Sequence, residues 1–146
     1  MTDPSPRKPK RLSRALLASA LVLGLSGTLA TAPALAAEST VTINEVKYTV
    51  DLSNPEAGAT VSGYTSRWSI PSSVTIANNV SVNGAEYPVK SVGYAALSGA
   101  KITSVTIPDS ITTIGDYAFE SNSLKSVVLP SSITSIGEAA FKNNLG

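Results

Sequence analysis

Cysteine and histidine are both missing from this 146-residue chain. Without cysteine there is no disulfide to hold a small domain and no residue for a lipoprotein anchor. Without histidine the commonest metal ligand and the commonest general base are gone. Aromatic residues make up 5% of the chain, and Trp68 is its only tryptophan. Charge is sparse as well. Five of the 11 bases and one of the 10 acids lie before residue 37, which leaves six bases and nine acids beyond it. That part carries no cluster of Lys or Arg with which to neutralise phosphates, so nucleic-acid binding is excluded.

The first 36 residues have a different character. Arg7, Lys8, Lys10, Arg11 and Arg14 form a basic start, and an uncharged apolar run follows from Ala15 to Ala30. Pro33 breaks that run, and Ala34-Leu35-Ala36 supplies small residues where a signal peptidase reads. The pattern predicts a secretory signal peptide over 1–36, cleaved after Ala36. The alternative is a retained membrane anchor, but Ser19, Gly24, Ser26, Gly27, Thr28 and Pro33 dilute the run. Arg11 and Arg14 are not adjacent, which favours general secretion over the twin-arginine route. No membrane span is expected after cleavage. The remaining residues, 37–146, suffice for one small domain.

The strongest signal is a sentence written twice. The stretch from Val105 to Phe119 (VTIPDSITTIGDYAF) recurs, nearly unchanged, from Val127 to Phe141 (VVLPSSITSIGEAAF). One step back, Val89, Val92, Gly93, Ala96 and Leu97 stand where Ile111, Ile114, Gly115, Ala118 and Phe119 stand in the next unit. Asn122 corresponds to Asn144. A period in the twenties means a structural unit stacked on copies of itself. Within each unit, Ile102–Ile107 and Leu124–Leu129 fit L-x-x-L-x-L, and the last three residues of each, Val105–Ile107 and Val127–Leu129, alternate as a short strand requires. Pro108 and Pro130 close them. Gly115 and Gly137 turn the chain, and Asp116–Phe119 and Glu138–Phe141 read as a turn of helix led by an acid. The expected interior is Val89, Val92, Ile102, Val105, Ile107, Ile111, Ile114, Phe119, Leu124, Val127, Leu129, Ile133, Ile136 and Phe141.

The repeated V-x-I-P-x-S-I-x-x-I-G-x-x-A-F, closed by Asn and then Leu-x-S, resembles the BspA-like leucine-rich repeats of bacterial surface proteins. The resemblance implies a β-rich solenoid of 22-residue repeats with short helical turns. It also implies adhesion to a protein or glycan without catalysis. Residues 89–146 hold one degenerate, one complete and one truncated repeat. Residues 37–88 then read as a β-rich N-terminal cap. In it, Thr40–Ile43 and Val46–Val50 form a hairpin around Asn44-Glu45. Ser73–Ile76 and Val80–Val82 lead through Asn83-Gly84, a type I′ signal, into Glu86–Val89. Two and a half coils are near the minimum for a stable stack. The chain is expected to fray after about Ser126, or to cover its open C-terminal coil by self-association.

Candidate chemistry is thin. Ser98-Gly99-Ala100-Lys101 fits S-x-x-K, yet it falls in a loop with a glycine inside. Leu129-Pro130-Ser131 starts like a wall-sorting signal and is repeat punctuation. Asn79-Val80-Ser81 is a glycosylation sequon. Asp109, Asp116, Glu120 and Glu138 are too far apart in the register for a calcium cage, so neither metal nor cofactor is expected. Trp68, with Tyr64 nearby, is either a sugar-stacking platform or a large aromatic closing the core of the cap. The outward strand positions carry the binding expectation: Ser104, Thr106, Ser126 and Val128, with Thr103 and Lys125 at the strand entrances. In a solenoid such positions stack into a continuous face.

Overall fold

A computed structural model describes residues 37–145. The expected signal peptide over 1–36 lies outside the described residues. The described residues run through nine strands: β1 (Glu38–Ile43), β2 (Val46–Asp51), β3 (Ala59–Tyr64), β4 (Ser73–Thr75), β5 (Asn79–Val82), β6 (Ala85–Val92), β7 (Ser104–Thr106), β8 (Thr113–Ile114) and β9 (Ser135–Ile136). A 3-10 turn at Pro55–Ala57 joins β2 to β3.

Two tight hairpins form where the turn residues direct them. Asn44 and Glu45 adopt φ of 49° and 71°, and Asn83 and Gly84 adopt 52° and 82°. Positive φ at both central positions is what a type I′ hairpin needs. β1, β2 and β3 pair antiparallel as a meander. β5 pairs antiparallel with the first half of β6.

Beyond the meander the pairing turns parallel. β3 pairs with β6, β6 with β8, and β8 with β9. Ser91 sits beside Thr113 and Thr113 beside Ser135, one repeat unit per step. A second, two-stranded parallel sheet joins β4 to β7, with Ser73 beside Ser104 and Thr75 beside Thr106. That step is longer than one repeat unit, because the β5–β6 hairpin is inserted between the two rungs. β6 runs unbroken from Ala85 to Val92, so the hairpin and the first coil share a strand across residue 88.

The expected helical turn at Asp116–Phe119 does not form. Tyr117 has φ of 59°, as do, nearly, Ala95 (49°) and Ala139 (54°) one coil to either side. Alternate amides here donate to the neighbouring coil, while those between them close tight turns within their own, as Glu120 N does with Tyr117 O at 3.0 Å. Leu97 N donates to Ala118 O and Phe119 N to Ala140 O, both at 2.8 Å. Tyr117 N donates to Glu138 O at 2.9 Å. Between-coil bonding satisfies the same donors that a helix would.

Glycine lets the coils close up at the corner. A Cβ on Gly115 would meet Gly93 C at 2.9 Å and Val92 O at 3.0 Å. On Gly137 it would overlap the backbone and carboxylate of Asp116. Real Cβ atoms do not approach backbone that closely, so the stacking distance depends on glycine here.

One apolar cluster runs through meander and coils alike, from Tyr48, Val50 and Val61 to Val92, Ile111, Ile114 and Phe119. Most of the expected interior is buried, with Val105, Val127, Ile133 and Phe141 half-buried against it. Leu129 and Ile136 are the exceptions, 40% and 46% exposed. Among the described residues their coil has a neighbour on one side alone, so half of each side chain's packing surface is missing.

Tyr48 lies wholly inside this core, and its hydroxyl accepts the Ala77 amide at 3.0 Å. Burial pushes its pKa up, since the phenolate would lose its water. A folded-state pKa above the unfolded one contributes stability that is complete below about pH 10 and is lost as pH rises further. Urea titrations from pH 7 to 11.5 are expected to show stability falling on the alkaline side. The fall should be shallower in Tyr48→Phe. An alkaline limb of equal slope in the variant would refute the assignment.

Candidate functional site

The small parallel sheet places hydroxyl side chains in rows. In β7, Val105 turns inward while Ser104 and Thr106 face solvent. In β4, Val74 is buried and Ser73 and Thr75 face solvent. A parallel in-register pairing puts like residues side by side. Ser104 Oγ donates to Ser73 Oγ at 2.8 Å. At the entrance, Thr103 donates to Ser72 O through its amide (2.7 Å) and its hydroxyl (3.2 Å). Ile76 N donates to Thr106 O at 3.1 Å on the far side.

All six residues expected on the outer face are exposed: Thr103, Ser104, Thr106, Lys125, Ser126 and Val128. The structure unites them only in part. Val127–Leu129 does not form the expected strand and makes no ladder with β7. Val128 is 83% exposed. A shallow groove of about 300 Å³ lies instead between Thr106–Asp109 and Val128–Pro130. Ser126 and Lys125 thus belong to an irregular wall, not to a third rung.

The rung that does complete the face was missed. Ser73-Val74-Thr75-Ile76 is the same tetrapeptide as Ser104-Val105-Thr106-Ile107. That identity was the available signal. It was hidden from a 22-residue register by the inserted hairpin.

The structure also places the other candidates. Ser98 and Lys101 share no hydrogen bond among the described residues. Ser98 O accepts the Tyr64 hydroxyl at 2.9 Å, and the Lys101 ammonium sits over the Trp68 ring, 4.9 Å from its centroid. Trp68 is 82% exposed, so it does not close a core; that expectation is corrected. Asn79 is exposed at the start of β5. Among the described residues no group of acids is placed to hold a metal ion, and no helix is long and apolar enough to cross a membrane.

Electrostatics on the coils are mild. The Glu138 carboxylate is the main cause of a raised Tyr117 pKa, with smaller contributions from burial and from Tyr94, Glu120 and Asp116. The Tyr94 and Tyr117 rings meet edge to face at 5.8 Å.

The family profile of the BspA-type leucine-rich-repeat region matches residues 68–145. This chain belongs to that family. The match begins before β4, in agreement with the parallel β4–β7 pairing as a first rung. A leucine-rich repeat protein from Bacteroides capillosus is 30% identical, with a TM-score of 0.59, covering 70% of this chain and 73% of that one. A leucine-rich repeat protein from Bacteroides ovatus is also 30% identical, with a TM-score of 0.55. There the match covers 70% of this chain but only 33% of the other. The pneumococcal vaccine antigen PcpA shares the fold at 17% identity and a TM-score of 0.51, over 73% of this chain and 36% of that one. No curated protein matches the chain.

Proposed function

We propose that this BspA-type protein is a secreted or surface-displayed recognition module that binds a protein or glycan without catalysis. Two in-register rungs of exposed hydroxyls, Ser73 and Thr75 beside Ser104 and Thr106, carry the reading. They are small, mutually ordered and free of charge, which suits hydrogen bonding to a polar ligand at low entropic cost. Thr103, Lys125, Ser126 and Val128 extend the surface toward the groove. The wider frame is a solenoid of 22-residue coils, with residues 37–88 as its cap. The antiparallel meander supports that role, because β3 pairs parallel with β6 and covers an edge that would otherwise be bare.

Glycan and matrix-protein arrays test this. Saturable binding is expected, with a loss of about tenfold or more on Thr106→Lys or Ser126→Glu. Both sites are exposed, so the circular dichroism spectrum should not change. Binding that ignores both substitutions would remove the face from consideration.

A second reading is that the chain is part of a longer surface protein and has no separate activity. The exposed Leu129 and Ile136 favour it, since another coil, or a second copy, would cover them. Coding sequence beyond Gly146 that continues in 22-residue units would decide for the longer array. Concentration-dependent dimerisation would decide for the second copy.

A further inference from the structure

The only tryptophan of the chain stands in water, yet its loop is firmly held. Trp68 N donates to Ser66 Oγ at 3.1 Å. Ser69 N and Ile70 N both donate to Ser66 O, at 3.1 and 3.0 Å. Ser69 Oγ donates to Glu45 Oε2 at 3.0 Å, and the Thr65 hydroxyl donates to the same oxygen. These two hydroxyls hold the Glu45 carboxyl below its ordinary pKa. Ile70 is buried and ties the end of the turn to the core. The ring is therefore presented, not merely left over.

Lys101 completes the arrangement. Its ammonium lies 4.9 Å from the ring centroid, within cation–π range. The ring remains 82% exposed beneath it. Arg67, next to Trp68, is exposed too. Lys101 is two positions ahead of Thr103, whose amide and hydroxyl both reach Ser72 O. The aromatic–cation pair thus stands at the entrance of the hydroxyl face.

We infer that Trp68 and Lys101 form an anchoring subsite for a carboxylated sugar, a uronate unit of an acidic polysaccharide. The inference deepens the recognition reading above and rests on it. The C–H face of the pyranose packs on the indole, which is amphipathic and flat. The sugar carboxylate takes the Lys101 ammonium. Following sugar units extend over Thr103, Ser104 and Thr106, whose hydroxyl oxygens accept from the ligand, the Thr103 and Ser104 hydrogens being already given to Ser72 O and Ser73 Oγ. A neutral sugar gains the stacking and lacks the ion pair. The hydrogen-bonded turn keeps the ordering cost low.

Because Trp68 is alone, its fluorescence reports this site directly. Titration with trigalacturonate is expected to change it saturably, and more strongly than titration with neutral galactotriose. Followed by calorimetry, Trp68→Ala should weaken trigalacturonate binding about tenfold or more. Lys101→Met should weaken it about two- to fivefold, to the level of galactotriose. Salt should have the same effect on the wild type. The absence of a saturable change with either trisaccharide, or equal binding of both, would overturn the inference. Binding that survives Trp68→Ala but is lost on Thr106→Lys would discard this subsite and leave the sheet face standing. The reverse pattern would keep the subsite and discard the sheet face.

Discussion

Replacing Asn122 with alanine is expected to lower the unfolding free energy by about 3 kcal/mol or more. Asn122 is the only buried polar side chain among the described residues, 5% exposed. Its amide nitrogen donates to Leu97 O at 2.8 Å and to Phe119 O at 3.0 Å, and its Oδ1 accepts Ile102 N at 3.1 Å. One side chain thus satisfies three backbone groups drawn from two coils. Alanine would leave Leu97 O and Ile102 N unpaired, while Phe119 O keeps its bond from Asn144, and each buried unpaired group costs about 1–3 kcal/mol. The urea midpoint is the measurement. Asn122→Leu separates bonding from shape, since it keeps the branched outline, slightly enlarged, without the bonds. Full stability in that variant would mean the three bonds contribute nothing. Asn144 repeats the arrangement one coil on, donating to Phe119 O at 2.9 Å and Phe141 O at 2.8 Å. It is only half-buried, so water replaces part of what is lost, and Asn144→Ala should cost less.

Phe119→Ala should cost about 3–5 kcal/mol. Phe119 is fully buried and lies flat against Phe141, with centroids 5.2 Å apart and planes within 2°. Leu97 occupies the same place in the coil before. The residue is therefore packed from both sides, and the hole left by alanine has little that can collapse into it. Phe141 has Phe119 on one face and is half-buried. Phe141→Ala should cost clearly less, with midpoints ordered wild type, Phe141→Ala, Phe119→Ala. Equal costs would contradict a stack whose packing weakens toward its last coil.

Much of this was legible in the residues because stacking repeats its demands. Every coil must turn at the same corner, so Gly93, Gly115 and Gly137 recur. Every coil must fill the same interior, so Leu97, Phe119 and Phe141 recur. Asn83-Gly84 and Asn44-Glu45 announced their hairpins through their tolerance of positive φ. The helical turn was misread for an equally physical reason. A short acid-led segment with Ala and Phe suits a helix locally, but the neighbouring coil offers the amides better partners than the segment offers itself. Val127–Leu129 was misread because its apolar alternation matches β7, while strand formation also needs a partner that stays in place.

Chain order and spacing alone determined the regular progression from Ser91 to Thr113 to Ser135, the family, and the inward residues of the middle coil. Only the tertiary structure decided that β4, more than one repeat unit upstream of its partner, supplies the other half of the hydroxyl face, and that Trp68 stands in solvent under Lys101. The physical reason is that periodicity records contacts made at a fixed separation along the chain. An inserted hairpin changes the separation without changing the contact, and a lone residue has no period at all.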